Sequence, residues 1–248
     1  IDVTDKDASN QVLKESKLKA NLVSLNIGIL FWLKEDCTFT AVWNYPYGFF
    51  YTMRIALAQF NSIIGDFENT TSKIIQRIHD AESQGADLIV FPELAVCGYP
   101  PEDYLEYPNF IHKCKQSAET IALECKNITA IIGLPTVNPN AEGKNLYNSA
   151  AILRAGKISG YIHKSLLPTY DIFDEYRYFE PNRTFKCIEI NGVKIALTIC
   201  EDLWNAEDDP MYVSSPMEQL IKEHPSLMIN IAASPFDYTH AEERKAIL

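Results

Sequence analysis

The sequence has no uncharged apolar run of the roughly 18 residues that a membrane-spanning helix needs. The nearest, residues 20–33 and 37–53, are shorter, and the second is interrupted by Pro46 and Gly48. It also lacks a basic excess: 22 Lys+Arg against 33 Asp+Glu give a net charge of -11 and an isoelectric point near 4.9. Such a surface repels phosphate backbones and anionic lipid, so neither nucleic acid nor membrane is an expected partner. The six cysteines, at 37, 97, 114, 125, 187 and 200, include no C-x-x-C pair and no Cys/His cluster with zinc spacing, which leaves reduced thiols, one of which is available as a nucleophile. Asp2, Asp5 and Asp7 open the chain where a secretory signal would be basic, and no A-x-A cleavage site follows the apolar stretch, so the expected compartment is the cytoplasm. No internal repeat, low-complexity tract or G-x-x-x-x-G-K-[ST] phosphate loop is found.

What remains is 248 residues, 47% of them hydrophobic and 22% charged, enough for one domain with a substantial core. The pattern changes at Met53. Residues 1–52 carry a net charge of -1 and no sustained period, and are read as an atypical extension upstream of a natural start at Met53, with a native and a non-native origin both open. From there the alternation of apolar residues predicts a strand over 54–60, a helix over 66–84 with Phe67, Thr71, Ile74, Ile75, Ile78 and Ala81 on one face, and a strand over 87–91. A second helix over 109–126 and a strand over 128–134 follow. Two hairpins turn at Arg154-Ala155-Gly156 and Asn191-Gly192, and a short helix over 217–223 precedes a last strand over 227–232. Strand–helix units followed by hairpins indicate a mixed α/β sheet.

Three polar residues stand at the ends of apolar strands, where a rigid scaffold presents side chains: Glu93, Lys164 and Cys200. Singly, each has an ordinary reading, as a turn carboxylate, a surface lysine and a core cysteine. Together they make a base, a cation and a nucleophile.

The segments Phe91-Pro92-Glu93-Leu94, His163-Lys164-x-x-Leu167-Pro168 and Ile199-Cys200-Glu201-Asp202 resemble, in order, the Glu-Lys-Cys motifs of the nitrilase, or carbon–nitrogen hydrolase, superfamily. Gly98-Tyr99-Pro100-Pro101-Glu102-Asp103-Tyr104-Leu105 and the run from Leu167 to Phe179 are most similar to the glutaminase domains of glutamine-dependent NAD+ synthetases. The resemblance implies a four-layer α-β-β-α sandwich over residues 53–248 whose last strands lie beyond this sequence, and protomers that pair into homo-oligomers. It implies Cys200 as nucleophile, Glu93 as general base and Lys164, with the backbone N–H of Glu201, as oxyanion stabiliser. Glu175 would assist at the site, and Tyr99, Tyr170, Trp204, Ser234 and His240 would bind L-glutamine. His240 stands where the family has lysine and Ala232 where it usually has serine. No cofactor is implied for the amide hydrolysis. ATP and Mg belong to the synthetase domain that consumes the ammonia, and no Ser-Gly-Gly-x-Asp-Ser loop of such a domain occurs in this sequence. Two other readings stay open: a free-standing amidase or carbamoylase of the same superfamily, and a non-catalytic module that keeps only its assembly surface.

Overall fold

The computed structural model describes residues 53–59, 61–140, 142–203, 205 and 212–233 in full, and the backbone alone of strands within 23–25, 28–33, 38–44 and 50–52. The first helix, α1 (Phe67–Ser83), begins where Asp66 caps it by accepting from the Asn69 N–H. It buries Thr70, Ile74, Ile78 and Ala81. Thr70 replaces the expected Thr71 because the buried stripe follows the i, i+4, i+8 row. The chain leaves the helix through Gly85, whose φ of +75° is open to glycine without strain. The second helix, α2 (Pro108–Glu124), opens on proline, which needs no N–H partner at that position, and buries Phe110, Ile111, Cys114, Ala118 and Ile121.

A large sheet runs β1 (Val23–Leu25), β2 (Gly28–Leu33), β3 (Thr38–Asn44), β4 (Phe50–Leu57), β5 (Leu88–Val90), β6 (Thr129–Val137), β7 (Leu146–Arg154) and β8 (Lys157–His163), in that spatial order. β4, β5 and β6 are parallel, joined by α1 and α2 as crossovers, and the other pairs are antiparallel. A small sheet holds β9 (Ile188–Ile190), β10 (Val193–Ile199) and β11 (Leu227–Ile231), with β10 central. Between β10 and β11 lies the short helix α3 (Pro216–Leu220). Both hairpin turns place their two central residues at positive φ, Ala155 and Gly156 at +51° and +74°, Asn191 and Gly192 at +49° and +78°, as two-residue turns between twisted strands require.

The structure adds two things to the strand pattern. The hairpins belong to different sheets, β7–β8 to the large one and β9–β10 to the small one, so the mixed α/β pattern resolves into two stacked sheets, in line with the sandwich that the resemblance implied. And β4 crosses Met53, pairing with β3 from Thr38↔Ala56 to Asn44↔Phe50. The sequence division therefore falls inside a strand, whose ladder is made by backbone groups that side-chain periodicity does not report.

Two apolar seams hold the layers. On one face of the large sheet, Ile89, Ala130 and Ile132 meet Ile74 and Ile78 of α1 and Ile121 of α2. On the other, Ile55, Leu88, Val90 and Ile131 meet Ile195, Leu197, Ile199 and Ile229 of the small sheet. β5 is buried on both faces, as a central parallel strand must be. Each such side chain contributes about 1.5–3 kcal/mol on burial. Among the described residues no helix is long and apolar enough to cross a membrane.

One close approach fixes the turn after β5. Gly133 on β6 lies directly under Pro92, Glu93 and Leu94: a Cβ there would sit 2.5 Å from the Pro92 carbonyl oxygen, 2.7 Å from the Glu93 carbonyl carbon, and would overlap the Leu94 nitrogen. All three are backbone atoms that cannot swing aside. Gly133→Ala is expected to lower stability by about 1–3 kcal/mol through overpacking, read as a lower urea midpoint, and to reduce catalysis further by displacing Glu93.

Candidate active site

β8 ends at His163, and the next residue, Lys164, donates its N–H to the Asn148 carbonyl of β7 at 2.8 Å. This bond turns the lysine side chain into the protein, where it has no solvent exposure. Its ammonium reaches Glu93 Oε1 at 2.7 Å and both Glu175 oxygens, Oε1 at 2.9 Å and Oε2 at 2.8 Å. Burial pushes the ammonium toward its neutral form, but Glu93, Glu175 and Cys200 outweigh it and hold the group well above the usual lysine range. Lys164 is therefore a fixed cation. Glu175 is pushed up from the usual carboxylate range, by burial first and by Glu93 as well, with Lys164 opposing.

Glu93 follows Pro92, which cannot continue the β5 ladder, and Leu94 takes a left-handed φ of +48° to complete the turn. The Glu93 carboxylate is 2% exposed. Oε1 accepts from Lys164 and from Asn148 Nδ2 at 2.8 Å, while Oε2 accepts only the Ala233 N–H, at 3.0 Å, among the described residues. Asn148 Nδ2 also reaches Glu175 Oε2 at 3.4 Å, and the Tyr99 hydroxyl donates to Glu175 Oε1 at 3.0 Å.

Cys200 ends β10 at a φ of +45° and starts a 3-10 turn over Cys200–Leu203. A non-glycine residue in this region costs on the order of 1–3 kcal/mol and persists where its surroundings enforce it. Two polar residues do so. Asn230 Nδ2 holds the Cys200 carbonyl at 3.2 Å. The Asp202 carboxylate, fully enclosed, accepts the N–H groups of Ser165 at 2.9 Å, Leu166 at 2.8 Å and Ile199 at 3.2 Å, tying the Cys200 turn to the chain just after Lys164. The sulfur lies close enough to act electrostatically on both Lys164 and Tyr170. Of the other described thiols, Cys97, Cys125 and Cys187 are pushed up by burial, Cys125 to about 12, which suits them to packing rather than attack.

Next to Cys200 in the chain, the buried Glu201 carboxylate accepts from the Tyr170 hydroxyl at 2.9 Å and the Tyr212 hydroxyl at 3.2 Å. Burial and this carboxylate raise both phenols, which stay protonated donors. The Phe173 ring lies 5.5 Å from Tyr170 and 6.5 Å from Tyr99, centroid to centroid. A cavity of about 240 Å³ is lined by Tyr99, Phe173 and Glu175 but not by Cys200. A larger groove, about 940 Å³ between α2 and the ends of β6–β8, contains none of Glu93, Lys164 or Cys200.

The residues expected from sequence thus converge as follows. Glu93, Lys164 and Glu175 form one buried ionic cluster with Cys200 at its side, Tyr99 bonds to Glu175, and Tyr170 bonds to Glu201. Trp204, Ser234 and His240 lie outside the described residues. Asn148, Asp202, Tyr212 and the Glu201 side chain were missed. Asn148 leads into the apolar run before the Arg154-Ala155-Gly156 turn and Asp202 follows Cys200 by two, so a polar residue beside an apolar run was the available signal for both; Tyr212 sits in a loop and gave none.

The carbon–nitrogen hydrolase model matches residues 54–227, and the chain belongs to that family of enzymes. Within it, the glutamine-dependent NAD(+) synthetase of Synechocystis is 40% identical over 189 residues, and that of Thermotoga maritima 35% over 184. These matches cover 73% and 74% of this chain but 34% and 30% of the relatives, so the chain spans about a third of their length. Among solved structures, the glutamine-dependent NAD+ synthetase of Acinetobacter baumannii superposes with a TM-score of 0.68 at 35% identity, over 77% of this chain and 34% of that one. An amidase from Nesterenkonia sp. superposes with a TM-score of 0.61 at 21% identity, over 76% and 68%, which bears on the fold alone.

Asp202 supplies a test of the tie between the two loops. Burial raises its carboxyl from 3.8 to about 7 against the pull of its three N–H donors. A folded-state value above the unfolded one contributes stability that is present below about pH 4 and lost as pH rises through about 7. Asp202→Asn removes this titration. Urea unfolding at stepped pH is expected to show the wild-type advantage over the variant shrinking between pH 4 and 7; a constant difference would contradict the assignment.

Proposed function

We propose that this chain hydrolyses the side-chain amide of L-glutamine, as the ammonia-generating part of a glutamine-dependent NAD+ synthetase. The observation that carries the reading is the buried cation, Lys164, held between Glu93 and Glu175 beside Cys200. Identity of 35–40% to relatives bearing that name supports the choice of substrate.

In the reaction, Glu93 Oε2 takes the Cys200 thiol proton as Sγ adds to the amide carbon. The oxyanion that forms is stabilised by Lys164 and by the backbone N–H of Glu201. Collapse breaks the C–N bond, with Glu93 returning the proton to nitrogen, and ammonia leaves a γ-glutamyl thioester. Water then gives a proton to Glu93 and adds to the thioester; the C–S bond breaks and the thiol regains its proton. Glu175 and Tyr99 keep Lys164 placed rather than exchanging protons with substrate. Glu201, bridged by Tyr170 and Tyr212, is the anion suited to the α-ammonium of an amino-acid substrate, with Trp204, Ser234 and His240 completing the pocket. The ammonia passes to an ATP- and Mg-dependent synthetase domain of the larger protein, which amidates deamido-NAD, in a homo-oligomeric cytoplasmic enzyme. Residues 53–248 are the hydrolase domain in this reading and residues 1–52 an extension to it.

The test is ammonia and glutamate release from L-glutamine by the full-length protein. Cys200→Ala and Glu93→Gln are each expected to lower turnover by about a thousand-fold or more, since residues acting as one unit fail together; turnover within ten-fold of wild type in either would remove the assignment. Glu201→Gln is expected to raise KM for glutamine about 10–100-fold, the loss of a charged hydrogen-bonded contact, with a much smaller change in kcat.

A further inference from the structure

Asn148 has one atom that the reaction above does not use. The residue is 1% exposed, its Nδ2 bonds to Glu93 and Glu175, and its Oδ1 has no hydrogen-bond partner among the described residues. An unsatisfied buried acceptor costs about 1–3 kcal/mol, and the amide cannot be turned to relieve it, because Oδ1 would then face two carboxylates.

The acceptors of the cluster can be accounted for one by one. Glu93 Oε1 takes Lys164 and Asn148, Glu175 Oε1 takes Lys164 and Tyr99, and Glu175 Oε2 takes Lys164 and Asn148. Among the described residues two acceptors keep capacity: Glu93 Oε2, with only the Ala233 N–H, and Asn148 Oδ1, with none. They belong to groups joined by the 2.8 Å Asn148–Glu93 bond. A water molecule that attacks through its lone pair must point both protons elsewhere, one toward its base and the other toward a second acceptor.

We propose that Asn148 is a further catalytic residue: its Oδ1 accepts the second proton of the hydrolytic water while Glu93 Oε2 takes the first, and its Nδ2 fixes which Glu93 oxygen acts as base. Asn148 then serves the second half-reaction more than the first. The proposal rests on the acyl-enzyme reading above. The water proton bound to Oδ1 is not transferred: it stays on the oxygen that becomes part of the product carboxylic acid, and only the proton taken by Glu93 moves, finally to sulfur.

The experiment is partition of the acyl-enzyme between water and hydroxylamine, following glutamate and γ-glutamyl hydroxamate from L-glutamine with the full-length protein. Hydroxylamine is a strong nucleophile that needs little help from a base, so Asn148→Ala and the similarly sized Asn148→Leu should slow hydrolysis more than aminolysis. The hydroxamate-to-glutamate ratio is expected to rise at least ten-fold in both, with thioester trapped by acid quench. An unchanged ratio would overturn the proposal. Both products come from the same intermediate, so the ratio does not depend on how much of either variant folds, and a merely structural role would lower both products alike. If the wild-type protein itself gives neither thioester nor hydroxamate, the acyl-enzyme reading fails, an outcome distinct from an unchanged ratio.

Discussion

A lysine ammonium without solvent access is the constraint around which the site is arranged. Stripped of a partner, such a group costs about 3–5 kcal/mol or gives up its charge. Lys164 keeps its charge because two carboxylates reach it within 2.9 Å, and supplying them dictates where three separate loops go. The turn after β5 brings Glu93, helped by a glycine on β6 that lets backbone lie on backbone. The 3-10 turn at Glu175–Arg177 brings Glu175. The lysine's own backbone is fastened to β7. Burial, with the Glu93 carboxylate adding to it, pushes the Glu175 carboxyl up against the pull of Lys164. Among the described residues Glu93 Oε1 takes two donors and Oε2 one, so the two oxygens of this carboxylate are unequally engaged.

Chemistry and stability are coupled most tightly at Asp202. Its carboxylate costs desolvation, and its three N–H contacts hold the left-handed cysteine turn against the lysine loop. The fold accepts a poorly solvated acid that fixes the position of Cys200 relative to Lys164.

Much of this was legible in the sequence. Asn191-Gly192 and Ala155-Gly156 announce turns because few residues tolerate two successive positive φ values, and Asp66, Gly85 and Pro108 mark helix ends by local capping chemistry. Glu93, Lys164 and Cys200 could be placed because each ends an apolar strand. The rest depends on contacts distant in sequence. Which sheet a hairpin joins is decided by packing between Ile195, Leu197 or Ile199 and residues more than a hundred positions earlier. Asn148 looks like an ordinary strand residue until its carboxamide is seen between two glutamates. The burial of Thr70 rather than Thr71 turns on one step of helical phase.

The same arrangement gives the site a schedule. Glu93 hangs from the large sheet and Cys200 from the small one, 107 positions later in the chain, and Ala233, whose N–H meets the Glu93 carboxylate, follows later still. While the polypeptide is being made, the first half of the charge cluster emerges from the ribosome well before the sulfur does. Cys200 comes beside the Glu93–Lys164 cluster only when the two sheets close on each other, so the complete cluster is a late product of folding rather than of any one segment.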